Sequence, residues 1–191
     1  MILKKVINRY YQRYRRFIFQ RLSSNTRVSG SPHVHQPVLY VGAGSIRFGK
    51  DVSLGYFPSP FFYTGSAHIE ARHPEAEVVF GDNIFANNNL TIICDRSRIE
   101  IGSRVLMGTN VEIIDSDFHE IHPDRRNSGN HVCKPVKIGE NVFLGSNVCV
   151  MKGVTIGANS VIANGAVVTR DIPANVIAAG NPAIIIKEIA Q

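Results

Sequence analysis

The sequence predicts an all-β solenoid, a chain wound into three-sided coils of short parallel strands behind an N-terminal helix. Three observations predict it. Between Val136 and Val168 an apolar residue returns at every sixth position: Ile138, Leu144, Val150, Ile156, Ile162 and Val168. A helix repeats near 3.6 residues and a half-buried strand at two, so a period of six belongs to a larger coil. Gly139, Gly145 and Gly157, with Asn141, Asn147 and Asn159, recur at fixed offsets, as expected where tight corners require positive φ. The same period runs through Ile101, Met107 and Ile113, lapses for about nineteen residues, and resumes in register at Ile138. A loop bulging from a regular coil leaves that trace.

In order along the chain, LKKVINRYYQRYRRFIFQRL comes first. Leu3, Val6, Ile7, Tyr10, Tyr14, Phe17 and Ile18 share one side at helical spacing. Lys4, Lys5, Arg9, Arg13, Arg16 and Gln20 lie largely on the other, which makes a basic amphipathic helix. Ser23 to Pro32 is rich in turn formers and reads as a linker. This sets a division into residues 1–32, helix and linker, and 33–191, the coil with a short C-terminal segment. VGAGSIRFG lacks the third Gly of a dinucleotide-binding loop and reads as early coil corners. Phe48-Gly49, Leu54-Gly55, Phe80-Gly81, Ala86-Asn87 and Ile92 carry the early hexads, and the excursion loop falls at about 115–135. Six-residue sides make turns of about eighteen, whose first-position side chains point inward. The small or β-branched fifth position (Val142, Val148, Val154, Ser160, Ala166) fills each corner.

Charge is uneven. The first fifty residues hold ten of the 21 Lys and Arg and no Asp or Glu. A basic first quarter on a near-neutral body points to a local anionic partner rather than nucleic acid. No stretch approaches a bilayer span. Three Cys without CxxC spacing are expected to be reduced thiols of a cytoplasmic protein. No P-loop or HExxH motif is present.

The hexads, FANNNLTI at Phe85–Ile92 and IPANVIAAGNPA at Ile172–Ala183 together resemble the hexapeptide-repeat acyltransferases, in the branch of the maltose, galactoside and polysaccharide O-acetyltransferases. The likeness covers about residues 48–189. It implies a left-handed parallel β-helix, a homotrimer with active sites between subunits, acetyl-CoA as donor and no metal. The implied activity is transfer of acetyl to a sugar hydroxyl in surface polysaccharide biosynthesis.

That chemistry needs a base for the hydroxyl proton, donors for an oxyanion, and a grip on the coenzyme phosphates. In the loop EIIDSDFHEIHPDRRNSGNHVCKP the resemblance places the base at His119. Asp117, or a backbone carbonyl, would orient the imidazole, while His122 and His131 are expected to be solvated. Asn87 matches an Asn of the acceptor pocket that helps hold the reacting oxygen; Asn88 and Asn89 are expected at corners or the surface. Phe143 falls where the sugar enzymes have a large aromatic. Ser146 matches a position near the thioester. Asn164, Thr169 and Arg170 match positions flanking pantetheine and nucleotide, and Lys187 a basic residue at a coenzyme phosphate. After GNPA the family often has Arg or Lys, and this chain has Ile184, which leaves Lys152 or Arg170 to substitute.

Two other readings compete. Similar β-helices host zinc carbonic anhydrases with three His ligands from adjacent subunits, and seven His are available here. A non-catalytic coil that binds partners is the third. The helix leaves two readings open. It either holds the protein at the inner, anionic face of a membrane, with a lipid-linked saccharide as acceptor, or packs its apolar stripe on the trimer's own coils.

Overall fold

The computed structural model describes residues 2–190, with the side chains of residues 2–5 outside that description. Lys4 and Lys5, expected on the basic face of the helix, are therefore outside the described residues, as is the apolar Leu3.

After the helix, Ile2–Leu22, the chain winds through three sheets in rotation. The first holds Val28–Ser29, Ser45–Phe48, Glu77–Phe80, Arg98–Ile101, Val136–Ile138 and Thr155–Ile156. The second holds His33–Val34, Ser53–Leu54, Phe85–Ala86, Leu106–Met107, Phe143–Leu144, Val161–Ile162, Val176–Ala179 and Ile184–Glu188. The third holds Val38–Val41, Ala67–Ala71, Thr91–Cys94, Glu112–Ile114, Cys149–Val150 and Val167–Val168. Among the described residues the strands of these sheets pair in parallel except at the end, where Ile184–Glu188 runs antiparallel to Val176–Ala179. This is a left-handed parallel β-helix. The segment read as a polar linker includes Val28–Ser29, which pairs with Ile46 and Arg47.

The hexad residues form the core. Ile101, Met107, Ile113, Ile138, Leu144, Val150, Ile156, Ile162 and Val168 are all buried in one axial column, with Val105, Val111, Val142, Val148 and Ala166 in the corners. Ser160 takes a corner position by donating its hydroxyl to Pro173 O at 2.7 Å. Asn110 and Asn147, stacked across the excursion loop, are 37 apart in sequence, whereas Asn141 and Asn159 in the next turn are 18 apart. The inserted loop thus leaves the stacking undisturbed.

Corner chemistry divides between Asn and Gly differently from expectation. Asn141, Asn147 and Asn159 have φ of 55°, 59° and 61°, and their amides form ladders to the neighbouring turns. Gly139, Gly145 and Gly157 are not in the left-handed region. They are small because coils approach there: a Cβ on Gly157 would stand 2.3 Å from Ala174 N.

The helix lies against the first turns with its polar side inward. Buried Gln12 donates to Phe62 O at 3.0 Å, Arg15 to Phe62 O and Gly65 O at 3.1 and 2.6 Å, and Arg16 to Val34 O at 2.5 Å. Val6, Ile7, Tyr10, Tyr14 and Phe17 face outward. Of the described stripe only Ile18 is half-buried against the chain, and Arg15 and Arg16 are committed to the coil.

Candidate active site

The excursion loop leaves the third sheet after Glu112–Ile114 and re-enters the first at Val136. Its two ends meet: Ser116 bridges Cys133, Lys134 N donates to Asp115 O at 2.8 Å, and Asp117 N to Val132 O at 3.3 Å. The fully buried Asp115 carboxylate accepts from the backbone of Asp95 at 2.7 Å and Ser97 at 3.0 Å. This fixes the loop's root to the preceding turn.

Phe118 turns the chain at φ 60°, its N–H held by Ser116 Oγ at 2.9 Å. The Arg72 guanidinium sits 4.9 Å from the Phe118 ring centroid. His119 follows, exposed, with Nδ1 at 3.0 Å from the carbonyl of Arg126. A carbonyl only accepts, so Nδ1 carries the proton and Nε2 keeps its lone pair. Asp117, the alternative orienting group, is instead paired with Lys152 Nζ at 2.7 Å.

His131 is not solvated. Its side chain is 8% exposed and its Nε2 lies 2.8 Å from the Asp95 carboxylate, which Arg72 reaches at 3.0 Å. Burial alone would raise the pKa of Asp95. Hydrogen bonds from His131 and Cys133 and the nearby positive charges outweigh it, and the net shift is downward. Glu70 follows the same pattern: burial opposes, Arg72 and His68 prevail, and its pKa falls. The ligand atoms of Asp95, His131 and Cys133 lie within 4.8 Å of one another. The guanidiniums of Arg72 and Arg96 already face this carboxylate and oppose a cation there. Within one chain His119, His122 and His131 each have a separate partner and do not converge on one another.

Asn87 ends the Phe85–Ala86 strand, half-buried, and its Oδ1 accepts from Asn88 N at 2.8 Å. That leaves Nδ2 as the group able to meet a ligand. Asn88, expected at a corner or the surface, is fully buried. Its amide binds Tyr56 O at 2.9 Å, Pro60 O at 2.9 Å and Tyr56 N at 2.9 Å, fastening the aromatic segment that follows Leu54. Asn89 is a corner residue at φ 66°.

Ser146 sits in register with Asn88 two turns on. Its hydroxyl accepts from Thr109 N at 3.2 Å and its N–H donates to Asn164 Oδ1 at 2.8 Å, so both groups are engaged between coils. Phe143 stands in an outward row on the second sheet between Leu106 and Val161. Thr169, Arg170 and Lys187 are exposed.

The strand order sorts these residues onto two edges. Asn87, Ser146 and Asn164 lie where the second sheet turns into the third. His119, Asp117, Thr169 and Arg170 lie where the third turns into the first. The third sheet separates the two groups within one chain.

Residues 135–170 match the family model described as hexapeptide repeat of succinyl-transferase. The chain is 47% identical over 140 residues to the galactoside O-acetyltransferase of Lactococcus lactis, a match covering 73% of this chain and 63% of that one. It is 42% identical over 132 residues to the galactoside O-acetyltransferase of Escherichia coli, covering 69% and 59%. The matches therefore span about three fifths of these relatives' length. Among solved structures, a maltose O-acetyltransferase from Clostridium difficile superposes with TM-score 0.55 at 29% identity, over 98% of this chain and 84% of that one. A galactoside acetyltransferase in complex with coenzyme A does so with TM-score 0.56 at 26% identity, over 99% and 80%. With the buried hexad column, these likenesses show a chain built as a hexapeptide-repeat coil and similar to the galactoside and maltose O-acetyltransferases.

Proposed function

We propose that the chain transfers an acetyl group from acetyl-CoA to a saccharide hydroxyl, with His119 as general base. The observation that carries this reading is the bond from His119 Nδ1 to Arg126 O. It fixes the tautomer that leaves Nε2 basic, as an alcohol nucleophile requires. The likeness to galactoside and maltose O-acetyltransferases supports a sugar acceptor, and the relative with bound coenzyme A supports the donor.

In this reading His119 Nε2 takes the proton of the acceptor hydroxyl as its oxygen attacks the acetyl carbonyl, and gives it to the coenzyme sulfur as the carbon–sulfur bond breaks and the free thiol leaves. Asn87 Nδ2 hydrogen-bonds the reacting oxygen. Ser146, whose hydroxyl is held by Thr109, contributes a fixed dipole beside the thioester. Acetyl-CoA supplies the activated acyl group. The residues fit such a donor: exposed Thr169, Arg170 and Lys187 offer hydrogen bonds and positive charge to phosphates, and Asn164 borders the arm. With Ile184 apolar and Lys152 paired to Asp117, Arg170 is the remaining substitute for the basic residue that the family often has after GNPA.

Asn87 and His119 lie at opposite edges of the third sheet, which supports a site completed between chains of a homotrimer. Phe143 then lines the acceptor pocket from the second sheet, and Asp117, through Lys152, holds the loop beside it. A surface polysaccharide or its lipid-linked precursor is the acceptor class that the basic helix favours.

The test is a mass-spectrometric screen of saccharide acceptors with acetyl-CoA, beside titration calorimetry of the coenzyme. Saturable binding with a mass gain of one acetyl group per acceptor supports the reading. Absence of coenzyme binding would leave a non-catalytic coil.

A further inference from the structure

The N-terminal helix is inverted relative to the usual surface helix, which buries its apolar side. Gln12, 4% exposed, and Arg15 and Arg16 bind backbone carbonyls of the coil and the aromatic segment. At 100° per residue, the direction opposite this seam is occupied by Val6, Tyr10, Tyr14 and Phe17, with Ile7 beside them. Tyr10, Tyr14 and Phe17 are 67%, 64% and 51% exposed. Exposed Arg9, Arg13 and Arg21 flank this row, and the Arg21 guanidinium lies 5.3 Å from the Phe17 ring.

An apolar row this open needs an occupant. The chain is not apolar enough here to cross a bilayer: no described helix qualifies as a span. The charge identifies what it can lie on. No acidic residue occurs in the first fifty positions, and among the described residues none forms an ion pair with Arg9, Arg13 or Arg21. Two tyrosines and a phenylalanine between arginines suit the headgroup boundary, where ring faces meet acyl chains and guanidiniums meet phosphates. The inward hydrogen bonds of Gln12 and Arg15 hold the helix flat on the coil, which sets the row facing away from the protein.

We propose that this face seats the protein on an anionic phospholipid surface. Saccharides carried on lipid would then meet the coil at the bilayer. That last step rests on the acetyltransferase reading; the docking itself does not.

The chain has no Trp, so Tyr14→Trp creates a single reporter in the middle of the row. Its emission is read with vesicles of phosphatidylcholine containing about a third phosphatidylglycerol, with and without brominated acyl chains. The expected result is a water-exposed spectrum in buffer, a blue shift on anionic vesicles at low salt, and quenching by the brominated lipid. Pure phosphatidylcholine should give little change. Adding Arg9→Gln, Arg13→Gln and Arg21→Gln should weaken partitioning at least about tenfold. Co-pelleting of the unmodified chain with the same vesicles checks that the Trp is not itself the anchor, and circular dichroism checks that the helix persists. Two results overturn the proposal. One is an exposed spectrum that anionic vesicles leave unchanged. The other is a spectrum already blue-shifted in buffer and immune to brominated lipid, which would show a second copy of the chain covering the row. Acetyl transfer to a soluble sugar, measured without vesicles, reports separately on the catalytic reading.

Discussion

His131 Nε2 lies 2.8 Å from the Asp95 carboxylate and joins the far end of the excursion loop to the coil across 36 residues of sequence. Arg72 binds the same carboxylate and covers Phe118, the residue before His119. One buried Asp thus holds the loop at both ends of its path.

Asp95→Asn should loosen that loop. Arg72 and Arg96 are more than a third exposed and screened by water, so the loss is set mainly by His131. A destabilisation of about 1–3 kcal/mol is expected in denaturant unfolding. Hydrogen exchange should quicken between residues 116 and 134 more than in the coil, and unchanged protection there would refute the tether.

The same groups set an acid limit. Asp95 and Glu70 have depressed pKa values, so their stabilisation is complete above the unfolded carboxylate range, near about 4. It is lost as pH falls through their lower folded values. The melting temperature should decline below about pH 4, and Asp95→Asn should flatten part of that decline. Parallel curves for the two proteins would contradict it.

Asn88→Ala removes an amide that binds the aromatic segment while leaving Asn87 in place. Buried partners lose their bonds, so about 1–3 kcal/mol of stability should go. The near-ultraviolet signal of Tyr56, Phe57 and Tyr63 should weaken. A variant as stable as the parent would show that the segment is held elsewhere.

Gly157→Ala and Asn159→Ala test the division of labour at the corners. The first forces a Cβ against Ala174, at about 1–3 kcal/mol, while its φ suits alanine. The second puts alanine at φ 61° and cuts the ladder to Asn141 and Asn175, at about 1–2 kcal/mol. Both should lower the melting temperature, and a neutral Gly157→Ala would show that the coils can separate there.

The architecture was legible because the hexad reports which side chains face inward, and inward-facing residues decide a solenoid. The same period is silent about groups outside it. Asn87 and Asn88 are identical in sequence character, yet one faces the edge and the other is buried under an aromatic segment. Asn141 and Gly139 both looked like turn formers, and only the coil-to-coil approach separates positive φ from lack of space. His131 read as a surface residue because its partner, Asp95, lies a turn away in the coil. The helix showed its two sides, but only the fold shows which one turns inward.

The most direct measurement is the rate of acetyl transfer by the parent chain and by His119→Ala, with coenzyme binding followed in parallel. The account predicts that kcat falls about 10²–10⁴-fold in the variant while coenzyme affinity holds. A variant that turns over at the parent's rate would contradict the assignment of the base.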